Sequence, residues 1–262
     1  MEPFVLTVYK CPFDKMRLGR DGDGGYVFAN IPGVQYTTLL GGGISDDSSF
    51  EEDFLKMFPL AKVYAVDGSI ANLDKPGITF IKKMVGAVNT QSATNLHHLI
   101  NNGTFVKMDI EGGEVGWIKS LNDDHLNQIE QIVIEFHYPF SNNEVGMFDK
   151  LNKHHVLVHL HGNNCCGVRT HNGVVVPNIF ESTYLHKKYF TKKEFNTESI
   201  PGKLDMRNTS KPEIFIDHPP FVTKPAKKIS QRAKIMSNFD ALSSQGSRPK
   251  CIARRRVWFK IT

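Results

Sequence analysis

Short apolar runs recur along the chain with polar or helix-period stretches between them: YTTLL (36–40), KVYAV (62–66), ITFI (78–81), TFVKM (104–108), QIVIEF (131–136) and HVLVHL (155–160). Runs this short and rich in Val, Ile, Phe or Tyr predict strands covered on both faces. Between the first two, SSFEEDFLKMF (48–58) repeats Phe50, Phe54, Leu55 and Phe58 at helical spacing behind a Ser cap. SATNLHHLI (92–100) and GEVGWIKSL (113–121) read as further helices. Strands alternating with helices predict βαβ units in an α/β, doubly wound, mostly parallel sheet.

In such a sheet, ligands bind beyond the carboxyl ends of the strands, where the strand order reverses. The residues that follow the apolar runs are therefore the candidates: Gly41 to Ile44, Asp67 to Ser69, Asp109 to Glu114, Glu135 to His137, and His161 to Asn164. Gly41, Gly42 and Gly43 permit a tight turn and a close backbone approach to a ligand. Neither the GxxxxGK[ST] phosphate loop nor the GxGxxG dinucleotide loop is completed, since Ile44, Ser45 and Asp46 follow Gly43. The acids Asp46, Asp47, Glu51 and Glu52 disfavour a polyanion and suit a ligand with positive charge, such as the sulfonium and amino groups of S-adenosylmethionine. Asp67 ends its run where an acid accepts hydrogen bonds from a nucleoside ribose, although Asp67-Gly68 is also a good turn.

Composition adds limits. The chain has 262 residues, 40% of them apolar, and reads as one domain over 1–222 followed by a basic segment, 223–262. A solvated or disordered tail is the plain reading of that segment, and contact with nucleic acid, phosphate or an acidic glycan, or a helix packed on the domain, are the alternatives. No window approaches the ~20 apolar residues of a membrane helix, and no signal peptide is evident, so a cytoplasmic protein is expected. Cys165 and Cys166 are adjacent, Cys11 and Cys251 lie near opposite ends, and no zinc spacing occurs; thiols in a reducing compartment are the simplest expectation.

Five segments together carry a resemblance: DGDGGYVF (21–28), LLGGGISDDSSFE (39–51), VYAVDGS (63–69), VKMDIEGGE (106–114) and IVIEFH (132–137). They resemble the FkbM-type class of S-adenosylmethionine-dependent methyltransferases, and KMDIEGGE is the most specific piece. LVHLHGNN (157–164) and VPNIFESTY (176–184) are similar to a branch of that class with members in large DNA viruses. The resemblance covers roughly residues 17–222 and implies a seven-stranded Rossmann-like methyltransferase sheet, S-adenosylmethionine as cofactor, and methylation of a hydroxyl on a sugar, glycan or related small molecule. It implies cofactor contacts at Gly41, Gly42, Gly43, Asp67, Ser69, Asp109 and Glu111. The family's usual acid two residues before the first glycine is replaced by Leu39, leaving Asp23, Asp46, Asp47 or Glu51 for the amino group.

Methyl transfer from a sulfonium is an in-line displacement, so the protein chiefly orients the reactants, but a hydroxyl acceptor must still lose its proton. Two arrangements serve. Asp109, Glu135 and His137, the latter two sharing a face by alternation, form a site for Mg²⁺ or Mn²⁺; or, without metal, His137 or His161 is the base. His159 and His161 alternate on one side of their strand, with Val156, Val158 and Leu160 on the other. His159 reads as structural, and Asn163 and Asn164 as amides for sugar hydroxyls. Glu111 and Glu114 divide between function and a favourable first-turn charge. Tyr26 walls the site or enters the core, Trp117 enters the core, and His97 and His98 lie on a helix surface. The competing classes are a Rossmann-type oxidoreductase, disfavoured by the incomplete glycine motif and the lack of a Tyr-x-x-x-Lys pair, and a non-catalytic nucleic-acid- or glycan-binding module.

Overall fold

Each of the six apolar runs becomes a strand of one sheet in the computed structural model, which describes residues 4–141 and 145–223. In chain order the strands are β1 (Lys15–Leu18), β2 (Tyr26–Ala29), β3 (Thr38–Gly42), β4 (Lys62–Val66), β5 (Ile78–Ile81), β6 (Met84–Val85), β7 (Ala93–Thr94), β8 (Thr104–Met108), β9 (Ile129–His137), β10 (His155–Gly162), β11 (Val168–His171), β12 (Val174–Pro177) and β13 (Ile179–His186). The helices are α1 (Ser49–Met57), α2 (Glu114–Ser120), α3 (Asp123–Gln128) and α4 (Gly146–His154). The basic segment lies outside the described residues from 224 onward.

The central sheet has seven strands in the order β10-β13-β9-β8-β3-β4-β5. β5, β4, β3, β8 and β9 run parallel, while β13 is antiparallel to both of its neighbours. From β3 the chain steps outward to β4 and β5, then returns to the other side of β3 for β8 and β9. The strand order therefore reverses between β3 and β8. This is a mixed, broadly Rossmann-like α/β architecture with few helices.

Alternate residues of the parallel strands feed two cores, as period-two geometry requires. On one side Leu40, Val106, Ile132 and Ile134 pack with Trp117 and Ile118 of α2, Leu126 of α3 and Phe148 and Leu151 of α4. On the other, Leu39, Val63, Phe105 and Val133 pack with Phe50 and Phe54 of α1 and with Tyr26 and Phe28 of the β1–β2 hairpin. The second face is thus covered by one helix and a hairpin. The connections from β4 to β5 and from β5 to β8 contain no α-helix among the described residues, where alternating βαβ units predict one.

Four local features differ from the sequence reading. The stretch 92–100 is β7 and a single 3-10 turn, because Thr94 Oγ1 and Asn95 Oδ1 accept from the N–H groups of Leu96 and His97 and offer the backbone an alternative to a helix. His97 and His98 therefore sit on that turn. Ser48 does not cap α1: its hydroxyl donates to Glu52, and Asp47 Oδ1 accepts the Ser49 N–H instead. A bulge between Leu157 and His159 moves Val156 and Val158 into the same core that the α1 face closes, so they do not oppose the two histidines. Finally, Cys165 and Cys166 are joined by a disulfide where free thiols are expected; adjacency alone brings the two sulfurs together.

Candidate functional site

The polar ends of β3, β4 and β8 surround a cleft of about 230 Å³ at the point where the strand order reverses. Gly43, Asp67, Ser69, Asp109 and Glu111 line it, along with Ser45 and Met84. Gly41 and Gly42 do not: both lie inside β3. A Cβ on Gly41 would come within 2.3 Å of Glu51 Oε1, and one on Gly42 within 2.4 Å of Met108 Sδ, so close packing inside the sheet explains them. Gly43 is the glycine that turns the chain. Its φ of +70° is the left-handed region, and a Cβ there would lie 1.5 Å from the Asp109 carbonyl oxygen.

Asp67 closes the loop after β4. Its carboxylate accepts from the N–H of Ser45 at 2.9 Å and from both the N–H and hydroxyl of Ser69 at 2.6 Å. Burial would raise its pKa, but these donors outweigh it and hold the carboxyl below its ordinary value.

Acids and a histidine from the ends of β8 and β9 meet beside the cleft. Asp109, Glu135 and His137 each offer a ligand atom, all within 4.8 Å of one another. The first turn of α2 orients them: Glu114, fully buried, accepts with one oxygen from the N–H groups of Ile110 and Gly112 and from His137 Nδ1–H at 3.0 Å. Glu114 fixes the ring so that His137 Nε2 faces Asp109 Oδ1 at 3.8 Å and Glu111 Oε2 at 3.4 Å. A carboxylate behind a histidine in this way sets the tautomer and orientation of a metal ligand. Tyr26 is buried, and its hydroxyl donates to Asp109 Oδ2 at 2.7 Å, leaving Asp109 Oδ1 buried without a hydrogen-bond partner. Asn163 donates to Glu135 Oε1 at 2.7 Å. Burial, reinforced by the charges of Asp109 and Glu181, pushes the Glu135 carboxyl well above its usual range. Burial would lower the pKa of His137, but the Glu114 hydrogen bond and the surrounding acids raise it to about 9.

His161 belongs to a different assembly. It is fully buried, with Nε2 at 2.7 Å from Glu213 and Nδ1 at 3.5 Å from Glu181, so neither ring nitrogen is open to an acceptor. Burial opposes its charge, yet Glu181, Asp205 and Glu213 raise its pKa to about 9. The base role that the sequence suggests for His161 therefore does not fit this geometry; the residue holds the segment after β13 against β10. His159 does likewise with Asp205 at 2.9 Å. Asn163 and Asn164 are also occupied internally, the latter bonding Thr209 and Lys211.

Several residues of this region escape sequence reasoning. Glu181 pairs in register with Glu135 on one side and His161 on the other, but β13 reads as polar and gives no apolar run. Lys107 is buried, donates to the Gly43 carbonyl at 3.0 Å and lies 5.0 Å from the centre of the Tyr26 ring. A lysine inside TFVKM was the available signal, since a parallel strand buries both faces. Glu51, also buried, has no hydrogen-bond partner on either oxygen, and burial raises its pKa. Asp205 and Glu213 had no signal beyond being acids in a loop. Neither a family model nor a curated protein matches the chain by sequence.

Proposed function

We propose that the protein is an S-adenosylmethionine-dependent O-methyltransferase acting on a hydroxyl of a sugar, glycan or related small molecule. One observation carries the reading: a single cleft at the strand-order reversal is lined both by Asp67, an acid at a strand end suited to a ribose, and by Asp109 of the Asp109–Glu135–His137 group. That arrangement puts a cofactor side and a deprotonating side within one small site. Ser69 Oγ, the side-chain donor on Asp67, is the group a ribose hydroxyl would displace. Gly43 borders the cleft, and Glu51, with both carboxylate oxygens buried and lacking a hydrogen-bond partner, is the acid available to an amino group in place of Leu39, since Asp47 is engaged by Arg20 at 3.1 Å and by the Ser49 N–H.

The orphaned Asp109 Oδ1, the buried Glu135 and the Glu114-oriented His137 suit a divalent cation, and two carboxylates with one imidazole favour Mn²⁺ over the all-oxygen preference of Mg²⁺. Such a cation, when bound, supplies positive charge that lowers the pKa of an acceptor hydroxyl. The chain's own residues do the rest. Glu114 holds His137 by Nδ1 so that Nε2 points into the site, Tyr26 anchors Asp109, and Asn163 anchors Glu135. The acceptor oxygen gains the methyl, its proton leaves to solvent water at the mouth of the cleft, and sulfur departs as a neutral thioether.

Calorimetry with S-adenosylhomocysteine and with NADH tests the reading. Binding of the former with no response to the latter is expected; a preference for NADH, or no binding of either, would overturn it.

A further inference from the structure

At the amino-terminal end of β10, at the other end of the strands from the cleft, a groove of about 330 Å³ runs between Phe4–Tyr9 and α4. Lys193 brings positive charge to its lining, Lys153 is already paired with Asp123, and Asp149 is the one acid of the lining. Lys193 Nζ lies 4.9 Å from the centre of the Tyr9 ring, and Tyr9 stacks on Phe195 with centroids 5.5 Å apart. Phe195 is 53% exposed, an unusual position for a phenyl ring set among lysines. Lys10, Lys187 and Lys193 are all exposed, and among the described residues none of them has an ion-pair partner. Burial and the neighbouring charge of Lys193 lower the pKa of Lys187, as expected of two ammonium groups held near one another.

The charge of the whole chain is uneven along the sequence. Thr223, the last described residue, donates its N–H to the carbonyl of Asn196, the neighbour of Phe195. The 39 residues that follow it contain eleven Lys and Arg and a single Asp, so the net +5 of the chain is the balance of +10 after Thr223 and −5 before it. A body with net negative charge repels polyanions except where cations are gathered. Among the described residues, Lys187 and Lys193 are gathered beside the groove.

We propose that this groove and its rim bind single-stranded nucleic acid, with phosphates along Lys187 and Lys193 and an unpaired base stacked on Phe195. Lysines track a phosphate backbone without regard to sequence, and an exposed aromatic face between them serves any base, whereas a duplex hides its base faces and an acidic glycan has none. The inference is independent of the methyltransferase reading, because it uses none of the cleft residues.

Fluorescence anisotropy of the full chain with a labelled oligouridine of ~20 nucleotides tests it. Affinity should fall steeply between ~50 and ~200 mM salt, and Lys187→Ala with Lys193→Ala should weaken binding and lower the log–log salt slope by about 1.4, roughly 0.7 per lysine. Phe195→Ala should weaken oligouridine binding by about fivefold or more, while leaving heparin binding unchanged. These side chains are exposed, so melting temperatures should match the parent; if Phe195→Ala melts early, Phe195→Leu keeps the apolar contact with Tyr9 and removes the ring. The proposal is overturned if the lysine variant binds as tightly as the parent, if loss of the Phe195 ring changes nothing, or if phosphatidylserine vesicles capture the protein while oligouridine does not.

Discussion

A methyl group has nowhere to go at Gly43, because the Asp109 carbonyl already occupies the space. Gly43→Ala should therefore destabilise the fold by more than about 2 kcal/mol, through a steric clash and an unfavourable left-handed φ together, and a thermal melt followed by circular dichroism would read it. A near-parental melting temperature would mean that β3 and β8 can separate at their ends. Because the clash is with backbone, loss of cofactor binding in that variant says nothing about contact with a ligand. Glu114 is a cleaner probe. It touches His137 without offering an atom to the Asp109–Glu135–His137 group, so Glu114→Gln should weaken Mn²⁺ binding by ~10- to 100-fold, as loss of a carboxylate behind a metal-bound histidine does. Titration calorimetry with Mn²⁺ measures it, and S-adenosylhomocysteine affinity should be unaffected. Unchanged Mn²⁺ affinity would remove Glu114 from the site's support.

The pairing of β10 with β13 carries part of the pH dependence of stability, and His137 on β9, with a native pKa of about 9, adds to the alkaline side. His155, at the start of β10, is buried, and its ring nitrogen Nε2 donates to the Ile129 carbonyl at 2.9 Å. Burial dominates and lowers its pKa to about 3. In the unfolded chain it titrates near ~6.5, so as pH falls below that value the unfolded state takes up a proton that the native state refuses, and stability declines. His161 has the opposite sign. With a native pKa of about 9, its contribution is complete below ~6.5 and is lost as pH rises through about 9. Melting temperature should peak near pH ~6.5, with limbs of about 1 to 3 kcal/mol on each side. His161→Gln should make the alkaline limb shallower, with His137 supplying the remainder, and His155→Gln should flatten the acid limb between pH ~6 and ~4, above the region where Asp205, held at about 2, begins to be protonated. A profile flat from pH ~6 to ~9 would contradict the account of the β10–β13 pairing. These same elements mark where the sequence stops being legible. Parallel strands buried on both faces announce themselves as apolar runs, and their carboxyl ends could be read in order; Asp67, Asp109, Glu135 and His137 followed from that. β13 could not, since an antiparallel strand with Glu181 and Thr183 toward a polar layer has no such run. Nor could the bulge at Leu157–His159, where one extra residue cancels the alternation from which side-chain direction is inferred.

At the scale of the molecule, both hydrophobic cores are assembled from residues before 223. A chain ending at Lys224 should accordingly melt within a degree or two of the full chain and bind S-adenosylhomocysteine equally; a markedly lower melting temperature would show that the basic segment contributes to the fold. No helix among the described residues is long and apolar enough to cross a membrane. The strand order has one more consequence, and it concerns synthesis. β13 is the last strand of the sheet to leave the ribosome, yet it lies between β9 and β10. Until residue 186 has emerged, a nascent chain holds two open strand edges facing one gap, and Glu135 lacks the neighbour with which it shares a buried face. Chains terminated early would keep those edges, which are templates for pairing with other copies, so premature products should be far more prone to aggregate than their missing length suggests.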